Sequence, residues 1–109
     1  MEFAVLTSSH NSTPVLSLVG EVDIATVPRC SDAINKFVHD NSGLDILIDL
    51  SHLTALDDTG LGIILGAAGS ARNAGGDIAL VVTDERMRQR LDITGMSRAL
   101  RVLGSLSET

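Results

Sequence analysis

Ile46, Leu47 and Ile48 follow one another with no polar residue between them. A strand with one wet face alternates apolar and polar side chains, so an unbroken apolar run has to be covered on both faces. Residues 44–50 (LDILIDL) therefore read as an interior strand of a sheet with helices packed on it. The chain has 109 residues, so one domain is expected.

The flanking segments fit that frame. Residues 3–7 (FAVLT) and 15–20 (VLSLVG) read as strands, separated by the polar, turn-rich stretch 8–14. So short a link predicts an antiparallel pair. Thr26 is placed to cap a helix with Pro28 in its first turn, and Val27, Cys30, Ile34, Phe37 and Val38 recur at helical spacing. Asn41, Ser42 and Gly43 end it. A second helix is predicted from about Gly60 to Asn73, with Leu61, Ile64, Leu65 and Ala68 facing the core. Gly66 and Gly69 within it are read first as close packing of helix on sheet, and second as a smooth patch open to a partner. Residues 77–82 (DIALVV) form a fourth strand. A third helix runs from near Asp84 to Gly95, with Met87 and Leu91 inward and Arg86, Arg88 and Arg90 outward. Residues 100–105 (LRVLGS) read as a short edge strand, and the residues after them as a mobile tail. The predicted fold is one α/β domain over residues 1–109. Its sheet is mixed and mostly parallel, with four to five strands and an antiparallel N-terminal strand, and helices pack on it.

The joint between the interior strand and the second helix concentrates the chemistry. Asp57 and Asp58 precede Thr59, and Gly60 opens an apolar helix. A helix N-terminus has free N–H groups and the positive end of the dipole, so it tolerates added negative charge. Thr59 has two readings: a residue of the helix cap, or a hydroxyl whose phosphorylation alters what the surface binds. A phosphate there adds about −1.5 to −2 charge. Evicting a bound partner a hundredfold takes only about 2.7 kcal/mol.

Other chemistries find little support. There is no nucleophile elbow, CxxC or HExxH motif, and His10, His39 and His52 stand apart. Asp57 with Asp58 is a weak metal signal. GLGIILG (60–66) lacks the residues of a phosphate-cradling loop, so no cofactor is expected. Asp49 at a strand end and Thr83 after the fourth strand suggest a receiver domain. That fold also needs an acidic pair after its first strand and a lysine after its fifth, and the only lysine is Lys36. Cys30 is the single cysteine, read as a core residue and unable to form an internal disulfide.

Charge bears on partners. Residues 1–83 carry ten acidic and three basic side chains, a net −7, whereas residues 84–109 carry four and five, a net +1. The total of −6 disfavours nucleic acid and anionic membranes as direct partners and suits a protein with a basic face, besides aiding solubility. With no Trp or Tyr and two Phe there is no platform for stacked bases. No basic leader region precedes residue 15 and no apolar run approaches a membrane span, so the expected location is cytoplasmic.

Four segments together resemble the STAS domain family, and within it the single-domain bacterial anti-sigma factor antagonists: GEVD (20–23), ATVPRC (25–30), ILIDLSHLTALDDTGLGIILGAA (46–68) and LDITGMSRALRV (91–102). The resemblance implies an antagonist without catalysis that binds an anti-sigma factor, itself a serine/threonine kinase, and so releases a sigma factor. It implies phosphorylation of Thr59 by that partner and reversal by a phosphatase. It implies a contact surface of Asp23, Asp57, Asp58, Thr59, Gly60, Gly62 and Ile63, on a monomer or weak dimer. An alternative within the family is a scaffold domain that senses a ligand or nucleotide, without phosphorylation. Two departures stand out: Asp58 replaces the family's first junction hydroxyl, and the acceptor is Thr. A C-terminal helix found in many relatives is expected to be short or missing.

Overall fold

The computed structural model describes residues 2–108. A five-stranded sheet forms the base, with strands in chain order: β1 (Ala4–His10), β2 (Thr13–Val22), β3 (Asp45–Leu56), β4 (Asp77–Val81) and β5 (Arg101–Leu103). β1 runs antiparallel to β2, and all later neighbours are parallel. Helices α1 (Val27–Asp40), α2 (Asp58–Asn73), α3 (Glu85–Ile93) and α4 (Met96–Ala99) connect the parallel strands. Strand order follows chain order, and crossovers share one hand, so successive helices land on the same face. Ile46, Ile48 and Leu50 of β3 point into the core that α1, α2 and α3 cover. Leu47 points the other way, into a smaller cluster with Val15, Ala79, Val81 and Leu103 that Leu106 helps to cover. The unbroken apolar run of β3 is thus buried on both sides, with the α-helices on one of them.

Several boundaries differ from those the sequence suggests, each for a local reason. The polar stretch 8–14 is mostly strand: β1 and β2 close through Asn11 and Ser12 alone, both at positive φ (50° and 67°), the backbone of a tight two-residue hairpin. β3 does not end at Leu50 but runs on through Leu56, past the end of β4, paired there with β2 only. The short α4, unforeseen, opens at Gly95 with φ 80°. The expected mobile tail instead forms a 3-10 turn at Leu106–Glu108, with Leu106 packed on the second cluster.

The overhang of β3 is what positions the start of α2. It carries the chain beyond β4 and starts α2 at the tip of the sheet. The Asp57 N–H donates to the Val22 carbonyl at 2.8 Å, continuing the β2 pairing into the first residue after the strand. The Leu56 carbonyl faces the opposite side, where β4 has already stopped, and a buried or half-buried backbone acceptor needs a partner. Arg90 of α3 supplies it through Nη1.

Candidate functional site

Asp57 is the N-cap of α2: its backbone is extended (φ −69°, ψ 153°) and its carboxylate accepts the Thr59 N–H at 2.8 Å. The cap is therefore Asp57, and Thr59 sits two residues further in, exposed, with its side chain hydrogen-bonded to the Asp57 carboxylate. Asp57, Asp58 and Thr59 are all exposed. The hydrogen bond from the Thr59 N–H holds the Asp57 carboxyl below the usual carboxylate range, with the Thr59 side chain and the field of Arg90 acting in the same direction. The two neighbouring aspartates do not converge. Asp57 turns to its own helix end, whereas Asp58 pairs with Arg90 Nη2 at 2.5 Å. Among the described residues no group of three or more His, Cys, Asp or Glu side chains is arranged to hold a metal ion.

Gly60 is buried, and here space rather than φ requires glycine. A Cβ at this position would stand 2.7 Å from Leu56 Cδ1 and 2.8 Å from Val22 Cγ1. The first turn of α2 thereby rests directly on the ends of β2 and β3. Ile63 is half-buried and packs against the main core. Gly60 and Ile63 thus shape the surface from beneath, while Gly62 lies on it.

The exposed face of α2 departs from expectation. Leu65, predicted to face inward, is 42 % exposed. The inward positions are Gly60, Leu61, Ile64, Ala67, Ala68 and Ala71. Gly66 and Gly69 do not pack on the sheet: nothing lies within 4 Å of a Cβ built on either, nor on Gly62. Thr59, Gly62, Gly66 and Gly69 follow i, i+3, i+7, i+10 spacing and so share one helix face. The small residues that looked like helix–sheet packing form a smooth exposed strip running from Thr59, with Leu65 beside it.

Asp23 flanks the same end of the molecule through the Val22–Asp57 bond, but its carboxylate is occupied locally. It accepts from the Ala25 N–H at 2.9 Å and the Thr26 N–H at 3.1 Å. Asp23 therefore caps the turn that leads into α1, the task expected of Thr26. The Thr26 hydroxyl instead donates to the Glu21 carbonyl at 2.8 Å. The turn Asp23 builds carries Ile24, which is 90 % exposed.

Two features of this end of the molecule are not visible in the sequence. Arg90 has the pattern of a solvent-facing residue, and its partners lie 32 and 34 residues away. Ile24 is an isolated apolar residue in a turn and carries no periodic signal.

Fold and site together define a small mixed-sheet α/β domain that presents one capped helix N-terminus, with an accessible threonine hydroxyl, at the tip of its sheet. The chain belongs to the STAS domain family, whose model matches residues 4–109. It is 29 % identical over 85 residues to the anti-sigma-B factor antagonist of Listeria monocytogenes, spanning 78 % of this chain and 74 % of that protein. An anti-sigma factor antagonist from Mycobacterium paratuberculosis superposes with a TM-score of 0.86 at 25 % identity, covering 98 % of this chain and 90 % of the other. SpoIIAA of Bacillus, solved in its phosphorylated form, shares the fold at a TM-score of 0.65 and 21 % identity, over 91 % and 90 % of the two chains. These relatives are bacterial and their names belong to sigma-factor regulation.

Proposed function

We propose that this chain is an anti-sigma factor antagonist, a single STAS domain over residues 1–109 that works in the cytoplasm. It binds an anti-sigma factor that is also a serine/threonine kinase, and binding releases the sigma factor. The contact surface comprises Asp23, Asp57, Asp58, Thr59 and Gly62, supported from below by Gly60 and Ile63. The observation that carries this reading is the exposed Thr59 at a capped helix N-terminus, at the head of a smooth helix face. The names of the antagonist relatives support the same partner class.

Phosphorylation of Thr59 would be the control. The Thr59 hydroxyl oxygen attacks the γ-phosphorus of ATP, the bond to the β–γ bridging oxygen breaks, ADP departs and a base of the kinase takes the hydroxyl proton. A hydrated dianion then occupies the centre of a surface that had presented a small alcohol. Covering the dianion with a partner strips its hydration and crowds the interface, and a hundredfold loss of affinity takes only about 2.7 kcal/mol. A phosphatase would restore the bare hydroxyl.

The test is capture of the partner with the unmodified chain from the cytosol of its own cells, with phosphosite mapping of bound and free pools. Calorimetry then compares Thr59→Glu with Thr59→Ala. Thr59→Glu is expected to weaken binding at least tenfold, and Thr59→Ala to bind but escape regulation. Equal affinities would remove the switch; failure to capture an anti-sigma factor would remove the function.

A further inference from the structure

We propose that Arg90 is an internal receptor for the phosphate on Thr59, exchanging the Asp58 carboxylate for the phosphate when the threonine is modified. The inference rests on Thr59 being the modified residue.

The ion pair is built asymmetrically. Arg90 is anchored: its Nη1 donates to the Leu56 carbonyl at the end of β3, and its side chain is 33 % exposed. Asp58 is loose, its side chain 87 % exposed, with Arg90 Nη2 at 2.5 Å. When a stronger anion arrives alongside, the anchored partner stays and the loose one leaves. A released Asp58 carboxylate returns to water at little cost, because an exposed pair of this kind contributes little to stability.

Thr59 is the next residue along the same helix turn. A phosphate on its hydroxyl carries up to twice the charge of a carboxylate and offers three acceptor oxygens. A guanidinium matches that geometry with a two-pronged hydrogen bond, stronger than its single contact with Asp58. The field of Arg90 is also felt at Asp57, the residue before Asp58, as the weakest of the influences that lower its carboxyl.

A second cation lies close to Arg90. Beside Arg90 lies a shallow cavity of about 170 Å³, lined among others by Thr54, Leu56, Asp84, Arg86 and Arg90. Arg86 and Arg90 are one helical turn apart on α3 and so share a face. The charged groups on the elements around the start of α2 are Asp57 and Asp58 on α2, Arg86 and Arg90 on α3, Asp84 at the head of α3, and Asp23 in the turn after β2. The Asp84 carboxylate is turned to its own helix end, accepting the Arg86 N–H at 3.2 Å, and Asp23 is held in its own turn. Asp57 and Asp58 repel a phosphate on their own turn, and Arg90 is the cation already paired to that turn.

The experiment needs neither kinase nor partner. Phosphothreonine is installed at position 59 during translation, and its ionisation is followed by ³¹P NMR, with the side-chain Nε–H signals of arginine observed in the same samples. The second ionisation of a phosphate ester ordinarily lies near pH 6. With Arg90 present its midpoint is expected at least about half a pH unit lower than in Arg90→Gln, roughly a threefold change in proton affinity, with Arg90→Lys between them. In the unmutated chain the Arg90 Nε–H signal is expected to move on phosphorylation. An unmoved Arg90 signal, or equal midpoints in folded Arg90→Gln and the parent, overturns the proposal. If Arg90→Gln does not fold, the Arg90 signal of the parent decides alone. Because the phosphate is supplied synthetically, failure here leaves the antagonist reading standing, and absence of a cellular partner leaves this result intact.

Discussion

Gly60 lies against Val22 so closely that an added Cβ would meet Val22 Cγ1 at 2.8 Å, with Leu56 Cδ1 nearer still on the other side. The first turn of α2 is therefore seated on the ends of two strands, and the seat fixes where Thr59 emerges. Gly60→Ala forces either those side chains or the helix to move. The expected loss of stability is about 1–3 kcal/mol, the range for overfilling a packed site, read from urea denaturation. Amide signals of Asp57 to Leu61 should shift with it, since the helix end moves as a unit.

The three exposed glycines of α2 should behave in the opposite sense. Nothing crowds a side chain at Gly66 or Gly69. In a helix interior glycine is about 0.5–1 kcal/mol worse than alanine. Gly66→Ala and Gly69→Ala are each expected to raise stability by about that amount in the same denaturation experiment. A loss would show that the helix face is covered in the free protein.

Much of this architecture is legible in the residues, and the gaps have physical causes. The apolar run at 46–48 announces a strand buried on two sides, and the periodicity of Cys30, Ile34 and Phe37 announces the buried face of α1. The overhang of β3 is not legible, because SHLTAL alternates poorly and its only strand neighbour, β2, is distant in sequence. Helical spacing groups Leu65 with Leu61, Ile64 and Ala68, but the buried face is centred on Ile64, Ala67 and Ala71 and leaves Leu65 outside it. At the site, the hydroxyl and its neighbouring carboxylates are visible in the chain, but their division of labour is not. That Asp57 caps while Asp58 reaches α3 depends on where Arg90 stands, and no local pattern encodes it.

Cys30 offers a test of the core. It is fully buried, and burial pushes its thiol up to about 11. Between the ordinary thiol pKa of 9.0 and that value the unfolded chain gives up the proton while the folded chain keeps it. The unfolded state then binds fewer protons, so stability falls as pH rises through this window and is unaffected below it by this group. Cys30 is expected to resist a thiol reagent at pH 8 in the native protein and to react at once in denaturant. Cys30→Ser places a hydroxyl in apolar surroundings and should cost about 1–3 kcal/mol.

The Asp57 cap is expected to be acid-labile. Its folded pKa lies below its unfolded value because the carboxylate accepts the Thr59 N–H. On acidification the unfolded chain takes up the proton first, so the contribution is complete above the unfolded pKa, near 4, and disappears as pH falls through the lower folded value. Asp57→Ala should unfold at lower urea than the parent at pH 7, and the gap should shrink as the pH is taken down through the carboxylate range. Asp57→Asn, which keeps an oxygen acceptor but not the charge, should lie between them at pH 7 and show no such pH dependence. A gap that persists unchanged in acid would mean that the cap does not act through its charge.

Gly62 separates binding from folding. It stands one turn after Thr59 on the exposed strip, with open space where a side chain would go. Gly62→Gln replaces the poorer helix former with a better one, so the free protein should gain about 0.5 kcal/mol. If a partner approaches along this strip, the same side chain stands between the two surfaces and must be displaced or accommodated. The affinity for the anti-sigma factor, measured by calorimetry, should fall at least tenfold, about 1.4 kcal/mol. Opposite signs for stability and binding exclude unfolding as the cause of the lost affinity. Unchanged binding would move the partner off the helix face and confine its contact to the turn around Asp57 and Thr59.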